Sequence, residues 1–69
     1  MRDDRGEEWL PVDEAARVVR VRVETIRVWV TRGKVRTALN GRNRHVHMGD
    51  LRHAEAAWRA RLRRKRRVV

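Results

Sequence analysis

The chain has 69 residues, with 19 Lys or Arg against 9 Asp or Glu and a formal net charge of +10. It contains no Cys, Ser or Tyr, which excludes a disulfide framework, a zinc finger and thiol, serine or tyrosine nucleophiles, leaving only Thr25, Thr31 and Thr37 as aliphatic hydroxyls. No apolar run approaches the roughly 20 residues that span a bilayer, and no signal peptide is expected ahead of Pro11.

With 41% apolar residues and few aromatics, the core of one small domain must lean on Trp9, Trp29 and Trp58. Charge is unevenly spread. Residues 1–14 hold two basic and six acidic side chains, whereas residues 15–69 hold seventeen basic ones against Glu24, Asp50 and Glu55. A compact body of that charge repels itself, and a polyanion is the compensating partner. Arg outnumbers Lys by 17 to 2, a bias that GC-rich codon usage alone produces, so it does not by itself point to base reading.

Residues 1–8 are polar and aperiodic and read as a disordered acidic lead-in. Pro11 suits a first helical turn, Asp13 and Glu14 complement the helix dipole there, and Leu10, Val12, Ala15, Ala16 and Val19 form an apolar stripe. A first helix is predicted from Pro11 to Val19, then a tight turn from Val19 to Arg22. Ile26, Trp29 and Val30 are an i, i+3, i+4 triad, and Gly33 stands where a left-handed helix end belongs, so a second helix runs from Val23 to Arg32.

Beyond Gly33 the period becomes two. Val35, Thr37 and Leu39 share one face, and Lys34, Arg36 and Ala38 the other. Asn40-Gly41-Arg42-Asn43 is a hairpin turn with a basic tip. The return strand, Arg44 to Met48, puts Val46 and Met48 on one side and His45 and His47 on the other, facing solvent or phosphate. Without a third ligand nearby the two histidines are not read as a metal site. Gly49 is a stop and Asp50 a helix N-cap, and Leu51, Ala54, Trp58 and Leu62 form the stripe of a last helix reaching about Arg64.

The predicted fold is mainly α with a small β-hairpin, a winged helix-turn-helix over residues 9–62 followed by a basic C-terminal arm over residues 63–69. Core anchors are Ile26, Trp29, Val30 and Trp58. Burying the triad turns Arg22, Glu24, Thr25, Arg27, Val28, Thr31 and Arg32 outward, a mixture suited to base edges in a major groove: Arg for guanine, Glu for the cytosine amino group, Val or a Thr methyl for thymine. Lys34, Arg36, Arg42, Asn43 and Arg44 in the hairpin suit a phosphate backbone or a minor groove. No catalytic residue, cofactor or metal is predicted. The N-terminal carboxylates, outside the predicted fold, are not read as a metal nuclease.

Glu14-Ala15-Ala16, Val21 and the string Glu24-Thr25-Ile26-Arg27-Val28-Trp29-Val30, followed by a basic hairpin and Gly49-Asp50-Leu51, resemble the MerR-type winged helix, and within it the small excisionases of temperate phages and integrative elements. The likeness covers about Leu10 to Glu55. It implies that Glu24 and the Val28 position read bases. Three positions depart from the pattern: Val28 stands where Arg is common, Arg20 where the turn usually has Gly, and Arg22 where a Ser, Thr or Asp cap is usual. The resemblance implies a non-enzymatic DNA-bending recombination directionality factor in a bacterial cytoplasm, associated with the nucleoid. It would be a monomer lining up side by side on double-stranded DNA, with an integrase as second partner and no membrane. The alternatives are a small MerR-like transcription regulator and, from a different class, a basic RNA-binding protein.

Overall fold

The computed structural model describes residues 2–66, with side chains through Arg64. In chain order the elements are β1 (Trp9–Pro11), α1 (Val12–Val19), α2 (Val23–Thr31), β2 (Thr37–Asn40), β3 (Asn43–His47) and α3 (Met48–Arg66). The strands form one antiparallel sheet in the order β1-β3-β2. The three expected helices are present, and the expected two-stranded hairpin gains a third strand, because Trp9, Leu10 and Pro11 pair with His47, Val46 and His45. Pro11 is tolerated there as the last residue of an edge strand, and it also occupies the position before α1 rather than its first turn.

The helix ends follow from local backbone chemistry. Arg20 ends α1 in the left-handed region at φ 58° and ψ 46°, where its N–H and that of Val21 both reach the Ala16 carbonyl. Arg22 precedes α2 in an extended conformation and makes no side-chain cap. At the other end of α2, Gly33 at φ 75° donates to Val30 O and Lys34 to Trp29 O, closing the helix as a Schellman motif. α2 thus ends at Thr31, with Arg32 outside its last turn.

Ala15, Ala16 and Val19 of α1, Ile26 and Trp29 of α2, Val35, Val46, and Met48, Leu51 and Ala54 of α3 make the buried core. Val30 and Trp58 are only partly buried and pack against it, Trp58 edge-on to Trp29 at 6.0 Å between ring centroids. The hairpin closes on Asn40 opposite Asn43, leaving Gly41 and Arg42 as its two loop residues. Gly41, at φ 66°, supplies the positive φ that the first position of a type II′ turn demands.

Several expectations are corrected by the third strand. β3 is central, with both of its edges paired, and His45 and His47 are buried at 6% exposure instead of facing solvent or phosphate. Residues 2–8 are folded, not a disordered lead-in. Asp3 Oδ1 accepts the N–H groups of Arg5 and Glu7, Arg2 bridges to Glu8, and Trp9 Nε1 donates to Asp3 Oδ2 at 2.9 Å. Asp50 is not the N-cap of α3, which begins two residues earlier at Met48. Of the basic arm expected over residues 63–69, residues 67–69 lie outside the described residues.

Candidate nucleic-acid interface

A helix repeats every 3.6 residues, so the burial of Ile26 and Trp29 decides what α2 presents outward. Glu24, Arg27, Val28 and Thr31 are exposed along one face, flanked by the exposed Arg22 and Arg32 at either end of the helix. Thr25 is half-buried at the edge of that face. Thr31 Oγ1 donates to Arg27 O at 3.0 Å, which spends its hydroxyl hydrogen and leaves a methyl group and an acceptor lone pair outward. Val28, 45% exposed, is an apolar spot between charged neighbours.

Two clefts run along opposite sides of this face. One, of about 260 Å³, lies between α2 and α3, floored by Trp29 and Trp58 and walled by Thr25, Arg32, Lys34 and Arg61. The other, of about 430 Å³, lies between α2 and the hairpin, floored by Val12, Ile26 and Val30 and walled by Arg27, Thr31 and Arg44. The outward face of α2 is the ridge between them. Arg27, Arg32, Lys34, Arg42, Arg44 and Arg61 have no acidic partner among the described residues. Each cleft therefore carries uncompensated positive charge, which an anion would neutralise.

The hairpin residues divide. Lys34, Arg42, Asn43 and Arg44 are exposed, as a backbone-gripping wing requires. Arg36 is committed elsewhere. Its Nε donates to Asp50 Oδ2 at 2.8 Å, its backbone N–H to the same oxygen at 3.1 Å, and one terminal nitrogen lies 3.2 and 3.4 Å from the two ring nitrogens of His47. That terminal nitrogen, nearly equidistant from both ring nitrogens, rests against the imidazole. Asp50 is held below the usual carboxylate range by the Arg36 side chain, and the same contact raises Arg36 further.

His47 anchors this outer cluster. Its Nδ1 accepts the Asp50 backbone N–H at 3.0 Å and so caps α3. Its Nε2 lies 3.2 Å from Glu7 Oε2. Trp9 meets the ring edge-on at 5.0 Å, and a Cβ on Gly49 would come within 2.9 Å of its Cε1. His45 Nδ1 lies 3.2 Å from Asn43 O. No group of His, Asp and Glu among the described residues is arranged to hold a metal ion, and no described helix is long and apolar enough to cross a membrane.

Arg61 is a cation of the α2–α3 cleft that the sequence does not single out. It sits in an unbroken basic run, and only the packing of Trp58 on Trp29 brings it beside Arg32 and Lys34. Comparison of the chain with protein-family models, curated proteins and solved structures finds no match.

Proposed function

We propose that this protein is a sequence-specific double-stranded DNA-binding protein of the winged helix-turn-helix kind that bends its site. One observation carries the reading: α2 is an outward ridge of mixed Arg, Glu, Thr and Val side chains flanked on both sides by clefts lined with unpaired cations. A helix in a major groove has a phosphate strand on either side, and that is the charge pattern such a duplex requires. Glu24, Thr25, Arg27 and Val28 then face base edges. Arg44 grips one strand from the wing, and Arg32, Lys34 and Arg61 grip the other.

The biological role that fits best is the recombination directionality factor implied by the excisionase-like string over Glu24–Val30. Without Ser, Tyr or Cys the chain supplies no recombinase nucleophile of those kinds, so strand cleavage falls to a partner integrase. The protein's part is to hold the attachment region in a bent path. The test is footprinting on the attachment region of the element that encodes it, then a reconstituted reaction with the cognate integrase. Addition of the protein should shift recombination toward excision. Binding without any change of direction would reassign it as a transcription regulator, and equal affinity for structured RNA would remove the duplex reading altogether. Within the site, Glu24→Ala or Thr25→Ala should lower discrimination between cognate and scrambled duplex by about 1–3 kcal/mol. Arg42→Ala or Arg44→Ala should instead weaken both duplexes alike.

A further inference from the structure

Leu39 is 70% exposed, more than any other large apolar side chain among the described residues. It lies on the edge strand β2, one residue before Asn40, and pairs across the hairpin with Arg44. The alternation of the strand puts it on the face of Thr37 and Val46, the face turned toward the helices. Val46 is fully buried, but the sheet outruns the core beyond it, so the Leu39–Arg44 pair projects past the helices. Arg44 lines the cleft beside Arg27 and Thr31 of α2, which fixes the side on which Leu39 projects. Edge strands are commonly blunted by charge, and an isolated apolar side chain here contributes nothing to the core. Gly41, Arg42, Asn43 and Arg44 around it are exposed, and neither arginine has an acidic partner among the described residues. So basic a surround disfavours a second copy of this chain as the occupant and favours a polyanion.

We propose that Leu39 is the wedge that bends the duplex: it enters between two base pairs from the minor groove and unstacks them, while Arg42 and Arg44 hold the phosphates on either side. The inference rests on the DNA-binding reading. A phosphate strand lying in the cleft between α2 and the hairpin carries the adjacent minor groove past the tip, on the side where Leu39 projects. An apolar side chain inserted at a base step in this way kinks DNA by about 20–90°.

The probe is an end-labelled duplex of about 30 base pairs carrying a site that the wild-type protein selects from a random pool, with 2-aminopurine substituted in turn along the wing side. Resonance energy transfer at saturating protein reads the bend, and 2-aminopurine fluorescence reads unstacking. Wild type should draw the ends together and raise the fluorescence at one step. Leu39→Ala should keep the wild-type melting temperature and still bind the site, yet lose most of the bend and the fluorescence rise. Leu39→Phe should restore both. A Leu39→Ala complex as bent as wild type, or a straight wild-type complex, overturns the wedge and leaves DNA binding standing. A free protein that is dimeric as wild type and monomeric as Leu39→Ala, with the bend unchanged, assigns the leucine to self-association. A wild-type protein that selects no duplex ends both proposals together.

Discussion

His47 joins several parts of this small molecule. It carries the cap of α3, receives the Glu7 carboxylate and the Trp9 edge, and meets a terminal nitrogen of Arg36, which Asp50 fixes. The carboxylates on this outer face have a consequence for acid stability. Arg36 holds Asp50 below its ordinary value of 3.8, and the Trp9 indole N–H does the same for Asp3. A group whose pKa is depressed on folding adds stability that is present above its unfolded value and is lost as the pH falls through the folded one. The melting temperature should therefore fall between about pH 5 and about pH 2, and Asp50→Asn should flatten that fall while lowering the plateau at neutral pH. Thermal melts of the two proteins across the range check this, and parallel curves would show that Asp50 is not part of the acid response.

Between α1 and α2 the chain turns in three residues, and Arg20 is held there at φ 58° with no glycine to relieve it. The left-handed region costs a residue with a Cβ about 1–2 kcal/mol, part of which a glycine gives back through its freer unfolded chain. Arg20→Gly should stabilise the fold by about 0.5–1 kcal/mol, a rise of several degrees in melting temperature for a domain of this size. An unchanged or lower melting temperature would mean that the Arg20 side chain contributes a contact of its own. Elements whose ends are set by neighbouring residues were legible in the sequence: α2 by its triad and Gly33, the hairpin by Asn40 to Asn43, α1 by its stripe. Those made by distant pairing were not. β1 is three residues ending in proline, and nothing local marks Trp9-Leu10-Pro11 as a strand until β3 lies beside it. The burial of His45 and His47 and the order of residues 2–8 follow from that one strand, so they were lost with it. The alternation that groups Leu39 with Thr37 was right, but a two-residue period cannot tell where a sheet outruns its core. Asn40-Gly41-Arg42-Asn43 marked the turn, and its two central residues, Gly41 and Arg42, form the loop.

At the scale of the whole molecule, charge is what the fold leaves unbalanced. The net charge is +10, and three of the acids are spent locally: Asp50 and Glu7 on Arg36 and His47, Glu55 on Arg59. The unpaired cations assigned to phosphate are Arg42 and Arg44 on the wing and Arg32, Lys34 and Arg61 in the cleft between α2 and α3. If these five each neutralise one phosphate of a bound duplex, counterion release makes the logarithm of the binding constant fall against that of the salt concentration with a slope of about −4 to −5. Replacing Arg42, Arg44, Arg32, Lys34 or Arg61 by Ala, one at a time, should make that slope shallower by about 1 each. Arg36→Ala is the contrast. Its charge is already spent on Asp50, so it should lower the melting temperature and leave the slope where it was. Salt titrations of the six variants on one duplex separate the two behaviours. A wild-type slope near −1, or a slope that responds to Arg36 but not to Arg61, would move the anion-binding surface off α2 and its two clefts.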